Sequence, residues 1–206
     1  DIIGVTGPVA CGKSTFGRVF LCEMPYGGSV RFGGKELSSF SPRAISGMVG
    51  YLGHDPELSM DTIQNNVLCG SRQDVLPQLN AVVLTDEVRA MENGADTVVG
   101  SSGARLSGGQ AQRLALARTL AHPRPLMILD DPFSALDRKT EDAVFANLHT
   151  YAKDKVVFLI SHRLYHFPQM QQVIVMEDGK TTVGTHDELM ASVPTYRWLY
   201  ESQVGG

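Results

Sequence analysis

Long apolar runs are missing from this sequence. The longest covers the five residues Val156–Ile160, far below the ~18 that a membrane-spanning helix needs. Neither a transmembrane segment nor a secretory leader is therefore expected. Positive charge is also in short supply, with 18 Lys and Arg against 22 Asp and Glu and a formal net charge of -4. Phosphate backbones call for a basic face, so no nucleic-acid partner is expected. Cysteine is sparse: Cys11, Cys22 and Cys69 are an odd number without paired spacing. That speaks against a disulfide framework and suits a reduced intracellular compartment. Repeats, low-complexity tracts and linkers are absent as well. There is no initiating Met, and the opening DIIGVTG already reads as a strand, so upstream sequence is expected.

What is present is ordinary in bulk, 206 residues with 43% hydrophobic and 19% charged. This gives one domain, 1–206, room for a sizeable core. The apolar pattern alternates between strand and helix. Short buried strands are predicted at 2–6, 48–52, 126–130, 156–161 and 172–177, and a hairpin around Gly33-Gly34 in SVRFGGKEL. Helices are predicted from 13 to about 22, after the cap Ser41-Pro42, from Asp137 to about 152, and from His186 to about 203. Ser107 opens an expected amphipathic helix, SGGQAQRLALARTLAH. Strands alternating with helices imply an α/β fold with a mainly parallel sheet. The stretch from about 61 to 93 is helical in texture and interrupts the alternation.

GPVACGKST fits the phosphate-loop pattern G-x-x-x-x-G-K-[ST] and falls between a predicted strand and a predicted helix. The backbone amides of Gly7, Pro8, Val9, Ala10, Cys11, Gly12, Lys13, Ser14 and Thr15 (Pro8 lacking its N–H) form the expected cradle. Lys13 would reach the β and γ phosphates of a nucleotide, and the Ser14 hydroxyl would ligate Mg²⁺. A buried strand ending in Asp usually completes such a metal site. LMILD is that strand, and Asp130 is its terminal acid. Asp131, one residue on, stands where a group could polarise the attacking water. It lies too far upstream to cap the helix after Asp137.

LSGGQ (residues 106–110), with the phosphate loop and ILDDPFSALD, resembles the nucleotide-binding domain of the ATP-binding cassette (ABC) transporters, and the likeness covers nearly the whole chain. TIQNNVLCG and DTVVGSSGARLSGGQ are most similar to the exporter branch. The resemblance implies an ABC ATPase core with a mainly parallel sheet, a truncated antiparallel β subdomain and a helical subdomain at about 61–122. It implies ATP and Mg²⁺ as cofactors, and Lys13, Asp131 and the switch histidine His162 as catalytic groups. It further implies a signature at Ser107, Gly108, Gly109 and Gln110, and a D-loop ending at Asp137. The implied partners are a second ABC ATPase domain, paired head to tail, and transmembrane domains at the cytoplasmic face of the membrane. Ser107 as a cap and two glycines also make sense alone, because they let bare helix amides approach an anion.

Four positions depart from the family pattern. Asp131 stands for the family's catalytic Glu. His54 stands for the Q-loop glutamine, a nucleotide and metal contact, and nitrogen is the poorer donor for Mg²⁺. Ser101 stands for a Glu of the exporter segment, and the adenine-stacking aromatic belongs to a segment upstream. Asp is one methylene shorter than Glu, and a misplacement of about 1 Å can cost on the order of a hundredfold in rate. The departures resemble the degenerate half of a heterodimeric exporter. Two other readings stay open: a regulatory cassette that barely hydrolyses, and a non-transport ABC ATPase acting on nucleic acid or ribosomes.

Overall fold

A computed structural model of the chain describes residues 1–55, 57–100 and 103–204. Ser101 lies outside the described residues. In chain order the elements are β1 (Ile2–Thr6), α1 (Lys13–Val19), β2 (Arg31–Phe32), β3 (Lys35–Glu36), α2 (Pro42–Met48), β4 (Val49–Leu52), β5 (Asp61–Thr62), α3 (Ile63–Leu68), α4 (Leu76–Ala81) and α5 (Thr85–Arg89). They continue as β6 (Val98–Val99), α6 (Gly108–Ala121), β7 (Leu126–Asp130), α7 (Arg138–Ala152), β8 (Val156–Ile160), β9 (Gln172–Glu177), β10 (Lys180–Gly184), α8 (His186–Ser192) and α9 (Pro194–Val204). Two compact units result, one of residues 1–51, 124–130 and 154–206, the other of residues 52–123 and 131–153.

The first unit is built on a six-stranded sheet of order β10-β9-β1-β8-β7-β4. The pairs β9-β1, β1-β8 and β8-β7 are parallel, and β10 is antiparallel to β9. β7 is buried at every position, which is why LMILD reads as an uninterrupted apolar run rather than an alternating one. Val5, Leu37, Ile45, Val49, Leu126, Ile128 and Ile160 form a core cluster, and Phe16 and Phe158, edge to face with each other, pack against it. The expected hairpin is present as β2 and β3. Ser41 accepts a hydrogen bond from the Ala44 amide and caps α2 as its sequence suggests. α1 ends at Val19, and a turn carries the chain on to Cys22.

Two local expectations fail here. The terminal helix is two helices, since Val193 is extended and Pro194 starts afresh. Proline pushes its predecessor out of the helical region and offers no N–H to continue the ladder. Arg197 then donates to the Met190 and Ala191 carbonyls at the end of α8. The edge strand β10 was not foreseen. Asp178 and Gly179, both at positive φ (49° and 72°), make the hairpin turn that leads into it.

The second unit is helical, with β5 and β6 pairing as a two-residue ladder at its edge. The expected helical texture of 61–93 resolves into the short helices α3, α4 and α5. Ile63, Val67, Leu79, Val82 and Leu84 are buried there, together with Leu114 and Leu116 of α6. The sequence suggests an amphipathic α6, and the structure corrects this. Residues 112–117 are buried consecutively, so the middle of the helix is covered on every side, α3 and α4 being among its neighbours. Its buried polar residues are tolerated because each is bonded: the Gln112 amide to the Asp131 carbonyl, and Arg113 to Glu87, Val83 and Gly109. No helix among the described residues is long and apolar enough to cross a membrane.

Candidate functional site

In the first unit the loop from Gly7 to Thr15 leaves β1 and enters α1. Its path needs unusual backbone at Gly7 (φ 150°), Ala10 (63°) and Gly12 (99°). A Cβ on Gly7 would lie 2.0 Å from the Met176 carbonyl oxygen, so only glycine fits. Lys13 is 6% exposed, and its ammonium donates to the carbonyls of Gly7 (2.9 Å) and Pro8 (2.8 Å), with the Cys11 sulfur at 3.6 Å. The loop thus holds one cation against its own carbonyls. Pro8 and Cys11 are half-buried, whereas Val9, Ala10, Ser14 and Thr15 are exposed.

Asp130 ends β7 and is 3% exposed. Tyr51 at the end of β4 donates its hydroxyl to Asp130 Oδ2 at 3.3 Å. Burial, and after it the Asp130 charge and hydrogen bond, push the Tyr51 phenol up to about 12, so it stays a donor. Ser14 and Asp130 offer oxygen donors only, which is the chemistry Mg²⁺ takes. His162 follows β8. Its carbonyl accepts from Gln203 Nε2 at 2.8 Å, and Gln203 Oε1 accepts from the Leu164 amide at 2.9 Å.

In the second unit Asp131 has left-handed backbone, φ 51°. Its Oδ2 lies 3.6 Å from His54 Nδ1, and the two side chains are 10% and 56% exposed. His54 therefore faces a carboxylate. A cleft of about 410 Å³ is lined by His54, Gly108, Gln112, Ser134 and Ala135 among others. Among the described residues no group of three or more His, Cys, Asp or Glu is placed to hold a metal ion.

The signature residues form a closed cap. Ser107 Oγ accepts from the Gln110 amide, and Gln110 Oε1 accepts from the Ser107 amide at 2.8 Å, a capping box. Gln110 Nε2 also donates to Glu87 (2.8 Å), which pairs with Arg113 at 2.7 Å. Burial pushes the Glu87 carboxyl up, but hydrogen bonds from Arg113 and Gln110 and the Arg113 charge outweigh this and hold it below the usual range. Asp137 accepts from the Thr140 amide and hydroxyl as the cap of α7, and those bonds, the hydroxyl's first, lower its carboxyl's pKa.

The phosphate-loop spacing, the acid-terminated strand and the glycine-led helix start are the marks of a nucleotide-binding cassette, and a family model described as "ABC transporter" matches residues 1–134. The chain belongs to the ABC transporter family. It is 33% identical over 98% of its length to the "Probable multidrug resistance ABC transporter ATP-binding/permease protein YheI" of Bacillus subtilis (strain 168). It is 37% identical over 98% of its length to the "ATP-dependent lipid A-core flippase" of Burkholderia pseudomallei (strain 1710b). The chain spans 35% of the length of each of these relatives. A solved structure described as a bacterial Atm1-family ABC exporter with ATP bound superposes with a TM-score of 0.92. It shares 28% identity over 98% of this chain and 37% of that one. The sheet and its flanking helices therefore have the ABC ATPase fold.

Tyr51, Glu87 and Gln112 escaped the sequence reading. The signal for Gln112 was weak, since α6 also carries Gln110, Arg113, Arg118 and Thr119.

Proposed function

We propose that this chain is the ATPase cassette of an ABC exporter, working at the cytoplasmic face of a membrane and coupled to transmembrane domains. ATP is held on the amides of residues 7–15, with Lys13 leaving the Gly7 and Pro8 carbonyls for the β and γ phosphates. Ser14 and Asp130 would hold Mg²⁺, which neutralises charge developing on the phosphate oxygens. Asp131 orients the attacking water, His162 contacts the γ-phosphate, and His54 stands beside Asp131. The signature from Ser107 to Gln110 and the segment ending at Asp137 serve the ATP of a second cassette paired head to tail.

The observation that carries this reading is the buried Lys13 ammonium, held by carbonyls of the loop it would serve. Lys13→Ala should lower ATP affinity and turnover on the order of a hundredfold or more, measured by nucleotide binding and steady-state hydrolysis. Unchanged binding would sink the proposal. Wild-type turnover should stay below about 1 s⁻¹, the low end of ordinary enzymes. The short Asp131 and its His54 neighbour favour a weakly hydrolysing, regulatory half of a heterodimer over an equal half of a homodimer. The net charge of -4 gives no support to action on nucleic acid or ribosomes.

A further inference from the structure

Asp131 directly follows a strand that is buried at every position, yet its own backbone turns left-handed. Asp adopts that conformation more readily than most residues, though not freely. Sparsely populated backbone persists only where its surroundings fix it. Here the Asp131 carbonyl accepts two hydrogen bonds, each at 3.2 Å. One comes from the Ser134 amide and closes the local turn. The other comes from Gln112 Nε2, a side chain 4% exposed in the first turns of α6. The start of α6 packs on the residues just after Asp131. A Cβ on Gly109 would sit 2.8 Å from the Ala135 carbonyl oxygen, and one on Gly108 would touch the Ala135 methyl at 3.9 Å.

We propose that Gln112 is a positioning residue for hydrolysis. By holding the main chain of Asp131 it sets the aim of the short carboxylate. It also ties that carboxylate to the helix whose N-terminus serves the other nucleotide. The inference rests on reading Asp131 as the water-orienting group. One buried amide then joins the part of this chain that acts on its own ATP to the part that acts on its partner's.

Gln112→Leu keeps an apolar-compatible volume and removes the donor. In the self-associated chain, where every site uses Asp131, it should lower kcat about tenfold and move the KM for ATP less than about twofold, the pattern of an interaction made in the transition state. In an Asp131→Asn background the same change should add nothing, because both alterations act through one group. A loss that adds fully to that of Asp131→Asn, or one confined to KM, overturns the proposal. Hydrogen exchange gives a reading independent of turnover. The Ser134 amide should exchange faster in Gln112→Leu while the amides of the last two turns of α6 keep their protection. Unchanged exchange at Ser134 also overturns the proposal. Should Gln112→Leu fold poorly, Gln112→Met removes the same donor with a more adaptable chain. Wild-type turnover indifferent to Lys13→Ala would instead defeat the ATPase reading, leaving hydrogen exchange to decide the tether.

Discussion

The phosphate loop and the signature both lead into a helix start, and they are built in opposite ways. Gly12 precedes α1 with left-handed backbone and no side chain to cap it, and a buried ammonium stands in the loop. Ser107 precedes α6 and, with Gln110, uses two backbone amides inside the chain. The cation nearby, Arg113, is committed to Glu87, Val83 and Gly109. The first arrangement brings its own positive charge to an anion. The second spends two of its amides on its own capping box and its Arg113 on an ion pair, so it would suit a phosphate already held by another surface. On the proposed reading, this difference is the reason one cassette would hold ATP alone and need a second to close over it.

The largest expected effect tests that division directly. In the complex co-expressed with its natural partner, Ser107→Arg should cut turnover by on the order of a hundredfold or more, by filling the approach to the helix amides. Nucleotide binding to this chain's own loop should survive. Asp131→Asn should leave most of the turnover, since in a heterodimer it disables only the slow site. Equal losses in the two purified variants would mean equivalent sites and end the asymmetric reading.

A smaller effect is expected from Asp131→Glu, which restores reach at a left-handed position where Glu is less at ease than Asp. Hydrolysis by the self-associated chain should rise about tenfold, one part of what a 1 Å displacement can cost. No rise, with circular dichroism unchanged, would remove Asp131 from the base position. The smallest effect concerns Cys11, whose sulfur is 3.6 Å from the Lys13 ammonium. A maleimide should label it, and saturating Mg-ATP should slow that labelling severalfold by mass spectrometry of the loop peptide. Equal labelling with and without nucleotide would place the bound phosphates elsewhere.

These contrasts also show what the sequence could disclose. β7 and β8 were legible because strands covered on both faces write unbroken apolar runs. β10 was not, because most of its residues are exposed and no burial pattern marks them. The Asp178-Gly179 turn before it was a readable hairpin signal. The phosphate loop was legible because its geometry depends on local backbone, and glycine spacing records that. The partners of the two acids were not. Tyr51 lies 79 residues from Asp130, and Gln112 lies 19 from Asp131. Those contacts exist only after the chain has folded back on itself. The adjacent pair Asp130-Asp131 raised the expectation of chemistry, and only the structure gives one acid a phenol and the other an imidazole.

The amide of Gln203 bridges the His162 carbonyl and the Leu164 amide, so the last helix works as a clasp on the loop that carries the histidine. A chain cut in the last turn of α9, just before Gln203, would keep every motif and still lose that clasp. Its His162 loop would be left with two main-chain groups to resolvate. Activity measured on such a shortened protein would report a loosened loop rather than a weaker catalyst. Fusions joined close behind Val204 carry the same risk, and a spacer that lets α9 finish its last turn avoids it.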